Sequence, residues 1–220
     1  SSESKAKQVY EEYRFLDPST YLYPAKDLLF YQADLRSKEL VSQRMEVLEA
    51  VIQGEPLTVV TSFDALMDSL LAKEKIAGQT IKIQYDSVLD LARLEKELAE
   101  LGYERVVQIE CPGQFAVRGG ILDVYALTEE LPVRIELWGD EVDSIRTFDV
   151  ESQRSIENLT EVSICPAIEF PREGEKGVSF LDYFPADETL LFLDEPVRLM
   201  EKGQGVEEEF IEAQKKRVES

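Results

Sequence analysis

The 220-residue chain carries 24 Lys+Arg against 45 Asp+Glu, a net charge of −21, and 44% of its residues are apolar. That length supplies one large globular domain or two small ones, and the acidity opposes any ligand held mainly by phosphate neutralisation, nucleic acid first. With no histidine and only two cysteines, Cys111 and Cys165, Ser-His-Asp and Cys-His catalysis are excluded and a zinc ligand set is poor. No run of about 18 apolar residues marks a membrane span, and the start Ser1-Ser2-Glu3-Ser4-Lys5 lacks the regions of a signal peptide. A cytoplasmic protein with reduced structural cysteines is expected.

Residues 4–13 read as a short helix that stops before Asp17-Pro18, because proline disfavours helical backbone in the residue before it. Thr20-Tyr21-Leu22-Tyr23 reads as a strand closed by Pro24. From Ser37 to Gln53 the apolar positions Leu40, Val41, Met45, Leu48, Val51 and Ile52 recur at helical spacing, with Ser37 as cap and Gly54 as stop. Leu57–Thr61 is a branched, apolar strand, and Phe63–Leu71 is helix-like. Strand, helix, strand, helix predicts a parallel α/β unit. Two strands are too few for a whole fold, so something upstream or near the C-terminus must complete it.

The pattern changes across Lys73–Gly78, where a boundary is placed. Ser87–Leu101 reads as a helix with Ser87 and Asp90 in capping positions, Val88, Leu91, Leu94, Leu98 and Leu101 on one face, and Gly102 after it. Strands follow at Val106–Cys111, Phe115–Tyr125, Val133–Trp138, Val142–Phe148 and Ile156–Ile164. Their short connections predict an antiparallel meander. After Cys165-Pro166 come a loop over Pro171–Gly177, a buried strand at Thr189–Leu193, and a charged helix from about 205. That helix runs to Ser220 without a cap, as in a piece of a longer chain.

Alternation along Val133–Trp138 turns Val133, Ile135 and Leu137 to the core and Arg134, Glu136 and Trp138, the sole tryptophan, to the other side. Arginine and tryptophan on one outward face match the composition of interface hot spots, where one truncation costs roughly 2 kcal/mol or more. The alternative is a Trp138 packed under a helix and an Arg134 paired to a neighbouring carboxylate; periodicity does not choose. Gly119-Gly120 implies a bulge or a close backbone approach, and Arg118 would then sit beside Arg134. In 78–164, eight basic side chains stand among 18 acidic ones, which suits a specific protein contact better than a phosphate track.

Thr189–Leu193 followed by Asp194-Glu195-Pro196 has the outline of a Walker B strand, whose aspartate helps hold Mg²⁺. No G-x-x-x-x-G-K-[ST] loop occurs in the chain, so these carboxylates read as a structural vestige. Asp140, Glu141 and Asp143 follow Gly139 and read as a solvated hairpin end rather than a metal site. Neither a catalytic residue nor a cofactor nor a metal is therefore expected.

Gly113-Gln114-Phe115-Ala116-Val117-Arg118-Gly119-Gly120-Ile121-Leu122-Asp123-Val124, followed by 134–149 and by Ser152-Gln153-Arg154, resembles the bacterial transcription-repair coupling factors. The likeness to the excision-repair helicase UvrB is weaker. It extends upstream through Tyr23-Pro24-Ala25-Lys26-Asp27-Leu28-Leu29-Phe30 and downstream through Pro166-Ala167 and Leu193-Asp194-Glu195-Pro196. The resemblance implies a degenerate helicase-like (RecA/P-loop-type) parallel α/β domain, in two parts at 1–77 and 165–220, the first lacking its upstream portion. Inserted between them, at 78–164, is an α+β domain built on an antiparallel sheet.

It further implies that the inserted domain binds the damage-recognition ATPase UvrA and recruits it to stalled RNA polymerase. The family's contact positions match Arg118 and Arg134 directly and fall on Trp138, where the best-known member has phenylalanine. Other domains of the same full-length protein, among them a translocase ATPase, are implied as further partners that can mask this surface. An ATP-binding or helicase fragment that uses Asp194 and Glu195 and binds DNA directly is the alternative.

Overall fold

The computed structural model describes residues 2–26 and 34–218; Asp27–Phe30, part of the expected likeness, lie outside them. The first helix, α1 (Glu3–Leu16), is capped by the Ser2 side chain, which accepts from the Lys5 amide, and it ends at Asp17 ahead of Pro18. Strand β1 (Thr20–Tyr23), helix α2 (Asp34–Gln53) and strand β2 (Thr58–Thr61) form a crossover unit whose two strands pair in parallel, Thr20 with Thr58 through Tyr23 with Thr61. Helix α2 begins ahead of Ser37, the residue expected to cap it.

Phe63–Leu71 departs from expectation. Only Asp64–Met67 coils, as a 3₁₀ turn. The amides of Leu70 and Leu71 donate to Val178 O (2.9 Å) and Glu169 O (2.8 Å), so a distant segment supplies acceptors that a helix would have supplied locally. Helix α3 (Lys73–Gln79) then leads into β3 (Ile81–Gln84).

Helix α4 (Leu91–Glu100) is shorter than predicted. Asp90 caps it, accepting from the Arg93 amide at 3.0 Å, while a turn at 85–86 leads into 87–89, which runs beside 140–142 and leaves Val88 exposed. Strands β4 (Glu104–Arg105), β5 (Gln114–Arg118), β6 (Ile121–Tyr125), β7 (Val133–Trp138), β8 (Glu141–Phe148) and β9 (Ser155–Leu159) form a six-stranded sheet in that order, antiparallel from β5 onward. The stretch 115–125 is a hairpin, not one strand, and 156–164 divides between β9 and β10 (Glu161–Ile164). Strand β10 pairs antiparallel with β3, so the chain passes into and out of the meander side by side.

The expected strand at 106–111 is irregular for a visible reason. The Gln114 side-chain carbonyl accepts from the Glu110 amide (2.9 Å) and the Cys111 amide (3.3 Å), which satisfies backbone that a ladder would otherwise pair. One sheet face packs Phe115, Leu122, Val124, Val133, Ile135 and Ile145 against Leu94 and Leu98 of α4. On the opposite face Ala116 and Phe148 are covered by Ile109.

Residues 165–184 fold back on the first unit. The Tyr23 ring stacks on Phe180 with centroids 3.9 Å apart, and Tyr183 donates to Leu71 O. Arg44 and Glu169, both fully buried, form an ion pair (Nε to Oε2, 2.7 Å). Around it lie Asp68, 2.9 Å from Arg44, and the Tyr23 hydroxyl, which donates to Glu169 at 3.3 Å. Burial, then the Glu169 charge, pushes the Tyr23 hydroxyl pKa up, and burial pulls the Lys26 ammonium down against Glu169.

Thr189–Leu193 is neither a strand nor buried: Leu190 is 84% and Phe192 87% exposed. An apolar branched run needs a neighbouring strand edge to become a strand, and none of the described strands pairs with it. Asp194 and Glu195 are consequently solvent-exposed, and Glu195 pairs with Arg198 nearby in sequence. The last helix, α5 (Pro196–Val218), starts earlier than expected. Among the described residues no helix is long and apolar enough to cross a membrane.

Candidate protein-docking face

Two glycine-led, two-residue turns frame the face. Gly139, at φ +64°, joins β7 to β8, where Trp138 pairs with Glu141; a left-handed first position is what such tight hairpins require. Between β5 and β6, Gly120 lies so close to β7 that an added Cβ would stand 2.9 Å from Leu137 O. The Leu137 amide donates to Gly120 O at 2.8 Å. The glycine pair thus marks both a turn and the close backbone approach its sequence implies.

The alternation expected in β7 holds. Val133 and Ile135 are buried in the α4-facing core, while Arg134, Glu136 and Trp138 share the other face. Ladder pairing sets Asp123 beside Arg134, and Arg134 beside Arg146. Like charges directly opposite repel, and carboxylates resolve the conflict. Asp123, almost fully buried, accepts from Arg134 Nε (2.6 Å) and Nη2 (2.9 Å) and from Arg118 Nη2 (2.6 Å). Glu136 accepts from Arg146 and from the Ser144 hydroxyl at 3.1 Å.

Arg134 is held further by Gln153, whose Oε1 accepts from Nη2 at 2.8 Å, and by Phe148, whose ring centroid lies 4.3 Å below the guanidinium. The hydrogen bond to Asp123 raises its pKa above the ordinary arginine value. Its side chain retains 13% exposure, against 44% for Arg118. The structure thus joins Arg118 and Arg134 on one carboxylate. Of the readings left open for Arg134, pairing with a neighbouring carboxylate is the one found, and Gln153 and Phe148 cover it further.

Trp138 is 84% exposed at the hairpin mouth, four residues from Arg134 and so about 13 Å along the strand. The exposed carboxylates of Asp140, Glu141 and Asp143 flank it. A hydrogen bond with Asp86, reinforced by its charge, raises the Glu141 pKa. Among the described residues no group of three acidic or thiol side chains is placed to hold a metal ion.

Sequence reasoning missed Asp123 and Gln153. An aspartate inside the apolar strand Ile121–Tyr125 was the available signal, because a carboxylate in a buried strand demands a cationic partner. Gln153, held at φ +60° in a turn, carried no comparable mark.

Residues 81–170 match the family model described as the UvrB interaction domain, a span that runs from β3 through the whole meander to just past Glu169. Over these residues the chain is similar to the UvrB interaction domain. The chain is 40% identical over 169 residues to the transcription-repair-coupling factor of Bacillus subtilis (strain 168), covering 76% of this chain and 14% of that protein. Against the factor of the same name from Staphylococcus aureus (strain bovine RF122 / ET3-1), identity is 34% over 158 residues, 71% of this chain and 13% of the relative. The chain thus spans about one seventh of the relatives it matches. By description the matched module is an interaction domain, and the relatives are by name factors that couple transcription to repair.

Proposed function

We propose that this chain is the part of a transcription-repair coupling factor that docks the excision-repair protein UvrA, and that it does so through the outer face of the meander. In that role it performs no chemistry; it brings UvrA to RNA polymerase stalled on damaged DNA. One observation carries the reading: a tryptophan 84% exposed at a rigid hairpin, beside a face whose arginines are locked by buried Asp123. Large apolar side chains of this kind anchor interfaces.

The domain plan belongs to the same proposal. Residues 78–164 are read as an insertion into a degenerate helicase-like domain made of 1–77 and 165–220. In its favour are the antiparallel pairing of β3 with β10 and the packing of 165–184 on the first unit through Glu169 and Phe180. Cytoplasmic location and contacts to other domains of the parent protein accompany it.

Trp138→Ala is the clean test, because the side chain is exposed and its loss leaves the fold intact. Capture of purified UvrA by this chain should disappear in a pull-down while the circular dichroism spectrum and melting temperature stay unchanged. Undiminished capture would reject the reading. Charge reversal at Arg134 is less clean, since it would set two carboxylates against each other in a buried site.

A further inference from the structure

Resting on the docking reading above, we propose that the contact itself is an apolar ridge. Trp138 and Val88 form it on either side of Glu141, and the partner receives it in an apolar socket edged with basic side chains. The pairing Trp138 with Glu141, and Glu141 with Val88, places the three in one row across the sheet end, because directly paired residues project to the same side. Val88 is 81% exposed. Two strand spacings separate it from Trp138, about 10 Å, a distance one socket spans.

Val88 is held there rigidly. The Asp86 amide donates to Val142 O (3.0 Å), the Val142 amide to Ser87 O (2.9 Å) and the Leu89 amide to Asp140 O (2.7 Å). Asp90 then caps α4, which fixes the following turn. The residue that helical periodicity would have buried is therefore displayed on an ordered edge, where binding costs little further ordering entropy.

The charge around the ridge specifies the partner. Arg134 is paired with buried Asp123, which also accepts from the half-exposed Arg118, and Arg146 is paired with Glu136. What faces solvent beside the ridge is acidic: Asp86, Asp140, Glu141 and Asp143 are all exposed. Asp86 stands at φ +65°, left-handed backbone that an aspartate adopts at some cost, and its carboxyl crowds that of Glu141. An incoming lysine or arginine relieves that crowding. Arg134, 13% exposed, accordingly acts as a positioning residue that holds the sheet face, and the partner supplies cations to the carboxylates beside the ridge.

The test measures binding of purified UvrA to this chain and to Val88→Ser, Glu141→Lys and Trp138→Ala by titration calorimetry, with melting temperature as the control for folding. Val88→Ser and Glu141→Lys should each weaken binding by about tenfold, and Trp138→Ala by more. If Trp138→Ala abolishes binding while Val88→Ser stays within about twofold of the parent chain, the ridge is wrong and the docking reading survives. Unchanged or tighter binding by Glu141→Lys overturns the basic socket. If the parent chain fails to bind, or Trp138→Ala binds as it does, the docking reading itself falls.

Discussion

Asp123 concentrates the chemistry of the face. Its two oxygens accept three hydrogen bonds from Arg118 and Arg134, and it is 1% exposed. Asn in its place keeps the shape but removes the charge, leaving Arg134 covered without a counter-ion. Loss of one partner from a buried pair costs about 3 kcal/mol. Urea denaturation of Asp123→Asn should therefore show a lower midpoint, and weaker UvrA capture should accompany it because Trp138 sits on the same strand as Arg134. Equal stability would mean that the network is solvated and does not hold the face.

At the scale of elements, the central meander strands were legible from alternation and turn residues, whereas the runs 106–111 and 189–193 were not. Val133–Trp138 and Val142–Phe148 lie where periodicity put them, because each has paired neighbours on both sides. Residues 106–111 and 189–193 read as strands but have no ladder of their own, so a Gln114 side chain or solvent satisfies them instead. The end of β10 carries a titration that can be read. Burial pushes the Cys165 thiol up from 9.0 to about 11.

The unfolded thiol therefore loses its proton first as pH rises. Its contribution is fully present below pH 9.0, is lost between there and about pH 11, and amounts to on the order of 2 kcal/mol. Burial also raises Tyr23, Tyr103 and Tyr183, which steepens the loss at still higher pH. Urea midpoints at pH 8, 9 and 10 should fall less steeply for Cys165→Ala than for the parent chain. Parallel slopes would show that the thiol is not responsible.

For the whole molecule the decisive contact is Glu169 with Arg44, 125 positions apart in sequence. It ties the segment after the meander to the first unit. Glu169→Gln should destabilise that unit by about 3 kcal/mol. Amide exchange should quicken at Leu70 and Val178, which bond each other across the junction, while β5–β8 keep their protection. Uniform loss of protection would mean that the two units unfold together.

By itself the sequence determined which side of Val133–Trp138 meets the core and therefore that Arg134, Glu136 and Trp138 share a face, since that follows from a two-residue repeat. It also determined the crossover at β1, α2 and β2. Only the tertiary structure decided how covered each residue is: Gln153 and Phe148 close over Arg134, a bridge to Glu141 turns Val88 outward, and Glu169 finds Arg44. Side-chain direction is a local property of the backbone, whereas burial depends on segments that arrive from elsewhere in the chain and leave no mark in the local pattern.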